Sequence, residues 1–220
     1  MRISIRVAAP SGAKRLRRPA ETPALDYASV LKPLLEYEFS SDDENRLRFV
    51  MRNPGTIDET AAKITDPAVR AFGYWYRYKH NKSTYLEADA VEQFRLTHPN
   101  WPGQEELREK AETSLFLGDT SAEQIKSFFA PSAPQTGAGK AALATAYLAD
   151  GKESEAKALI YSAWRDHQLN EDVEKKILDK FGDILTEEHH RARIDALLYP
   201  DKASAAPAAL RIAKLLPAEE

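Results

Sequence analysis

The residues of this chain best suited to chemistry are aromatic. Tyr74-Trp75-Tyr76-Arg77-Tyr78-Lys79 sets four rings beside two bases, a mixture that can stack on sugars or nucleobases and hold anions. Helical spacing divides the run. Phe72, Trp75, Tyr76 and Lys79 share one face, which is expected to form core, and this leaves Tyr74, Arg77 and Tyr78 as the candidate exposed ligand contacts. A second candidate, Thr136-Gly137-Ala138-Gly139-Lys140, approaches a phosphate loop. That loop needs a glycine five positions before its second glycine and a hydroxyl after the lysine; Pro134 and Ala141 stand there instead, so the segment reads as a flexible helix entry. Glu187-Glu188-His189-His190 carries metal-ligand residue types, but neighbouring side chains on a helix point about 100° apart and no H-E-x-x-H spacing occurs. Its acids suit the first turn of a helix, where the dipole favours negative charge. His80 and His167 sit near expected helix ends, where cap or surface roles are ordinary. With no Cys in the chain and no nucleophile set beside a base, acyl transfer has no support, and neither a metal nor a cofactor is assigned.

These residues must be positioned by helices. The clearest unit is Gly139–Leu169, where Leu143, Ala144, Tyr147 and Leu148 form one apolar stripe and Ala156, Leu159, Ile160, Ala163 and Trp164 form another. Asp150-Gly151 between them supplies a tight reversal. Small Ala144, Ala156 and Ala163 allow close approach, with Tyr147 and Trp164 filling volume. This is the logic of a tetratricopeptide-type hairpin, although Lys140 falls where that repeat has Trp and no second copy recurs at a period of about 34 residues. Further helix starts are read at Ser41/Glu44, Thr56/Glu59, Asp66-Pro67, Thr84/Glu87, Thr120/Glu123, Asn170 and Thr186. Leu31, Leu34 and Leu35 suggest a first helix broken or bent at Pro33. Leu107, Ala111 and Leu115 keep helical spacing after the rigid connector His98-Pro99-Asn100-Trp101-Pro102-Gly103, Ala130 to Gly139 is a loop, and an Ala-rich helix over roughly 202–216 carries Ala206, Leu210 and Leu215 or Leu216. No sustained period-two alternation appears. The expected fold is all-α, a superhelix of antiparallel helical hairpins of tetratricopeptide-like solenoid type.

The 220 residues, 43% of them hydrophobic, suffice for one core without disulfides. Charge is uneven: six bases precede the first acid, Glu21, so residues 1–22 read as a flexible basic leader and 23–220 as an acidic helical domain. An acidic body excludes a general nucleic-acid platform. No apolar run approaches a membrane span, and Ile3 to Ala9, interrupted by Ser4 and Arg6, is not a secretory core.

Ordered motifs add a resemblance. His98-Pro99-x-Trp101-Pro102, Leu107-Arg108-x-x-Ala111-Glu112, Ala163-Trp164-Arg165, Phe181-Gly182-Asp183-Ile184-Leu185-Thr186 and His190-Arg191-x-Arg193-x-Asp195-x-Leu197-Leu198 together resemble the α-superhelical (U-type) domain of bacterial soluble lytic murein transglycosylases, over roughly residues 70–216. The resemblance implies an arc or ring of helical hairpins in the periplasm, working on the peptidoglycan glycan strand, with cleavage performed by a separate lysozyme-like domain through a single carboxylic acid. That acid belongs to a Glu-Ser motif followed by Gly-Leu-Met-Gln. Here Glu153-Ser154 lies in the hairpin turn without the sequel, and Met occurs only at positions 1 and 51, so no catalytic role is carried over. The expectation is a non-catalytic scaffold, inactive by itself and ending before the catalytic domain, that positions the glycan strand or orients that domain. The alternative is a tetratricopeptide-like adaptor for a protein partner.

Overall fold

A computed structural model describes residues 38, 40–80, 86–199 and 205–217. The expected basic leader, the helix around Leu31–Leu35, Thr84, and the start of the Ala-rich helix at 202–204 lie outside the described residues. The unit Ser40–Glu220 is all-α, with eleven helices among the described residues: α1 (Ser41–Arg52), α2 (Ile57–Ala61), α3 (Pro67–His80), α4 (Ala88–Thr97), α5 (Gln104–Leu117), α6 (Ala122–Phe129), α7 (Gly137–Ala149), α8 (Glu153–Asp166), α9 (Glu171–Phe181), α10 (Glu187–Leu198) and α11 (Ala206–Ala213). Successive helices pair as α4/α5, α6/α7, α7/α8 and α10/α11, while α1/α3, α3/α5, α5/α7 and α8/α10 join every second helix. The α9 helix reaches back onto α5, where Lys176 donates to the Leu117 carbonyl at 3.1 Å.

Helix starts follow local chemistry. Asp66 accepts from the amides of Ala68 and Val69 ahead of Pro67, Thr136 caps Gly139, and Asn170 caps Val173, each satisfying donors that have no partner within the helix. Two expected caps sit one residue off. Ser40, not Ser41, accepts from the Asp43 amide, leaving Glu44 to pair with Arg48. Ser121 and Gln124, not Thr120 and Glu123, form the capping box of α6. Thr56 caps nothing: its hydroxyl donates to the Asn53 carbonyl within a 3-10 turn, Pro54–Thr56, that runs into α2. Before α4, Glu87 turns to Arg77 instead of capping.

The α7/α8 hairpin forms as expected. Gly151 sits at φ +73°, the left-handed conformation that ends α7 and that a side chain would strain. Ala144, Ala156, Ile160, Ala163 and Trp164 are each fully buried, while Tyr147 is half-buried beneath Lys152. Trp164 anchors the middle of the stack; truncating such a side chain to Ala costs about 3–5 kcal/mol. Two expected faces are rotated. On α11 the buried positions are Ala209 and Ile212, and Leu210 is exposed. On α3 the buried line is Val69, Gly73, Arg77 and Tyr78, because Gly73 lets Ile57 approach so closely that a Cβ there would lie 2.6 Å from its Cδ1. The close-approach glycine, rather than ring size, chooses the face.

Candidate functional site

That rotation rearranges the aromatic run. Arg77 and Tyr78, expected at the surface, are buried, and Tyr74 is half-buried. Arg77 bridges Asp58 and Glu87, which ties the α2 and α4 ends to α3. Burial pushes the Tyr78 hydroxyl up to about 12. The Tyr74 hydroxyl is also raised, by burial and then by the charge of Asp58. In their place the expected core face emerges as a partly open aromatic layer. Phe72, Tyr76 and His80 follow one another along α3 at i, i+4 and i+8, with ring centroids 6.3 Å apart for Phe72–Tyr76 and 4.4 Å for Tyr76–His80. Trp75 stands beside Phe72 at 5.4 Å, with the Lys79 ammonium 5.2 Å from its ring centre.

The proline-flanked connector completes this layer. Trp101 meets Trp75 edge-on at 6.1 Å and Phe72 at 6.5 Å on one side, and Phe94 and His98 at 5.6 and 5.4 Å on the other. It therefore joins the surface rings to the core. Gln104 clamps the connector by donating to the carbonyls of His98 and Trp101, both at 3.0 Å. The Trp75 indole N–H donates to the Pro102 carbonyl at 2.8 Å. Trp75 and Trp101 pack on the main core, whereas Phe72 and Tyr76 belong to neither it nor the smaller cluster around Val50 and Ile57. Phe72 and Tyr76 pack on the neighbouring rings and stay partly exposed.

The segment that approaches a phosphate loop already holds an anion. Glu112 is fully buried, and its carboxylate accepts from the amides of Gln135 and Thr136 at 3.0 and 2.8 Å and from the Thr136 hydroxyl at 2.6 Å. Gly139 is required here, since a Cβ would lie 2.1 Å from Glu112 Oε2. The Arg108 Nε donates to the same carboxylate at 2.6 Å and its Nη1 to Glu92 at 2.7 Å, with its guanidinium 4.9 Å from the Phe128 ring centre. Lys140 turns away to Ser162, which in turn donates to Asp166. A helix N-terminus attracts anions, and this one is filled from within.

A similar device works earlier in the chain. Asp43, closed to solvent, accepts from the Thr65 amide and hydroxyl and from the Asp66 amide at 3.0, 2.7 and 2.9 Å. The Thr65 hydroxyl, aided by those amides and Arg46 and opposed by burial, holds the Asp43 carboxyl down at about 2. At the far end, Glu174 pairs with buried Arg193 at 3.1 Å and with Arg211 at 2.9 Å, while Arg193 also donates to the Trp164 and His167 carbonyls. Burial lowers the Arg193 guanidinium, with Glu174 opposing.

Of the candidate metal run, His189 meets the Thr186 amide at 3.1 Å as part of a capping box, and His190 buries against Trp164, ring centres 5.6 Å apart. Burial lowers the His190 imidazole, with His189 adding to the effect. His167 is lowered by burial and by Lys140, and it borders an open cleft of about 410 Å³ between Arg165–Gln168 and Ala192–Leu197. Tyr74, Arg77 and Tyr78 come together with Asp58 and Glu87 as a packing cluster, apart from the open rings of Phe72 and Tyr76. The clamps of Asp43 and Glu112 span 22 to 24 residues, beyond the reach of local pattern, and the only sequence signal for either was the Arg108–Glu112 motif. Compared with known proteins, this chain matches no protein-family profile, no curated protein and no solved structure.

Proposed function

We propose that this chain is the non-catalytic helical scaffold of a peptidoglycan lytic transglycosylase, its hairpins stacked as a superhelix in the periplasm to position a glycan strand or orient a catalytic domain, and inactive by itself. One observation carries this reading: the motifs that bear the resemblance are spent on joining helices. Leu107, Arg108, Ala111 and Glu112 are buried and lock α5 to the entry of α7; Trp164, Phe181, His190, Arg193 and Leu197 are buried around α8, α9 and α10. Trp101 links α3 to α4. A resemblance made of packing residues speaks for a shared frame, and fold-level likeness alone does not supply chemistry. Glu153, the nearest counterpart of the family's acid, is exposed in the first turn of α8 and faces Lys157 at 3.9 Å.

The test is incubation of the purified chain with murein sacculi. The reading expects the chain to sediment with sacculi and to release no anhydromuropeptides; release of such products would contradict the claim of inactivity, and failure to sediment would contradict glycan positioning. A tetratricopeptide-like adaptor is the second reading, favoured by the exposed apolar side chains Leu198, Tyr199, Leu210 and Leu215 on or just after the last two helices. It expects no affinity for sacculi.

A further inference from the structure

We propose that the seam between α8 and α10 is an acid-sensitive latch, in which a proton taken up by His190 releases α10 and α11 from α8 while the rest of the stack stays folded. The latch stands on this seam alone and holds whether or not the scaffold reading does. Among the described residues, buried side-chain nitrogens without a hydrogen-bond partner gather here: Trp164 Nε1, His190 Nδ1 and Arg193 Nε, with Arg77 Nε the one such atom elsewhere. Each has left water and gained no bond in return, so the closed seam forfeits hydrogen bonds that an open one regains from solvent. Packing offsets that loss. His190 meets the Trp164 ring edge-on at 5.6 Å, the Arg193 guanidinium lies 4.5 Å from the same ring centre, and Tyr161 stacks on His189 at 4.0 Å. The cleft of about 410 Å³ between Arg165–Gln168 and Ala192–Leu197 already brings solvent to one edge of the seam.

A proton on His190 arrives among charges of its own sign. Arg193 lies on the same helix and Arg211 comes from α11, and the buried carboxylate of the seam, Glu174 on α9, is held by both, at 3.1 and 2.9 Å. At the end of α8, Asp166 is bonded to Arg165 and Ser162, and on α10 Glu187 pairs with Arg191 at 2.8 Å. Burial, and then the charge of His189, hold the His190 imidazole below its ordinary 6.5. It therefore stays neutral in the closed seam and takes a proton readily once released, so acid favours the open form below pH 6.5. His167, half-buried at the rim of the cleft, is lowered by burial and then by Lys140, but Asp166 and Glu112 oppose the shift; the trigger is His190. Opening is local because α10 and α11 share an apolar cluster of their own, Leu197, Ala205 and Ala209. Their ties to the remaining stack are few: Ile194 and Ile212 against the main core, Arg211 on Glu171 and Glu174, and the Arg193 bonds to Glu174 and to the Trp164 and His167 carbonyls. A cooperative unit with few ties opens before the whole molecule does.

Amide hydrogen exchange of the full chain at pH 7.5, 6 and 5, corrected for the intrinsic rate at each pH, tests this. Protection across α10 and α11 is expected to fall several-fold between pH 7.5 and 5, with a ceiling of about 30-fold for one histidine kept wholly neutral in the closed seam. Protection across α5 and α7 is expected to hold, and the NMR titration of the His190 ring is expected to share its midpoint with the loss. His190→Phe keeps a ring against Trp164 and takes no proton, so in this variant the pH dependence of α10 and α11 disappears. A cooperative thermal transition at pH 7.5 confirms that it is folded, and His190→Gln gives the same reading if the phenylalanine does not fit. His167→Gln serves as the control and opens as the parent does. A fall in protection that is equal in α5, α7 and α10 overturns the latch, since it marks global unfolding. So does full protection of α10 at pH 5, a loss that persists in folded His190→Phe, or one that disappears in His167→Gln.

Discussion

Asp43 and Glu112 do the same job in two places, and they do it with different resources. Each is a buried carboxylate on one helix that captures two backbone amides and a threonine hydroxyl in the loop entering the next helix but one: α1 holds the entry of α3, and α5 holds the entry of α7. Asp43 stands in the first turn of α1 and meets the start of α3, so two helix N-termini favour its charge. Its cation, Arg46, keeps 32% of its side chain exposed. Glu112 stands in the interior of α5, with only the start of α7 to favour it, and it has an Arg108 whose side chain is 2% exposed. Where helix ends supply the field, a peripheral guanidinium suffices; where they do not, a buried one is built in and shared with Glu92.

Breaking the two clamps should therefore give unequal results. The largest effect is expected for Arg108→Met, which leaves the buried Glu112 without its cation while Glu92 keeps Arg95, and for Glu112→Ala, which leaves the buried guanidinium to Glu92 alone among the carboxylates: each should lower the unfolding free energy by about 3–5 kcal/mol, as for removing one partner of a buried pair, read from urea unfolding followed by circular dichroism. Asp43→Asn should destabilise less, because it keeps the side-chain shape and leaves no buried charge unpaired. Arg46→Met should cost about 1 kcal/mol, since its guanidinium keeps contact with water and the pair is weakened toward the range of exposed ones. Equal losses at Arg46 and Arg108 would show that helix ends contribute nothing to the difference.

Acidity sharpens the contrast further. The Asp43 carboxyl is held at about 2 against an ordinary 3.8, so its contribution is complete above pH 3.8 and is lost as pH falls through about 2. The stability gap between the parent chain and Asp43→Asn should close across that window. His190 gives a smaller effect at higher pH. Its imidazole lies below the ordinary 6.5, so protonation favours the unfolded chain and stability declines as pH drops below 6.5. His190→Gln should flatten that slope in a thermal-melt series from pH 7.5 to 5.

What the sequence makes legible here is local. Asp66 and Asn170 announce their caps because the group that accepts and the amide that donates are three residues apart or fewer. The α7/α8 hairpin is equally plain, since small residues, Trp164 and Gly151 all point the same way. Adjacent hydroxyls defeat the reading at Ser40/Ser41 and Thr120/Ser121, where either residue fits the cap pattern. The face of α3 is harder. Five aromatic side chains between Phe72 and Tyr78 outweigh one Gly73 in any count of apolar positions, yet Gly73 alone admits Ile57. As a result Trp75 still packs on the core while Phe72 and Tyr76 stay partly exposed, and Arg77 and Tyr78 lie inside. The carboxylate clamps were invisible, because nothing near Glu112 in sequence shows that residues 135 and 136 will arrive with their amides aimed at it.

The inequality between the clamps is tested most directly by paired double-mutant cycles, Arg108→Met with Glu112→Gln and Arg46→Met with Asp43→Asn, measured by urea unfolding at neutral pH. A coupling of about 2 kcal/mol or more is expected between Arg108 and Glu112, with the Arg46–Asp43 coupling close to the error of the measurement. Couplings of equal size in the two cycles would contradict the account.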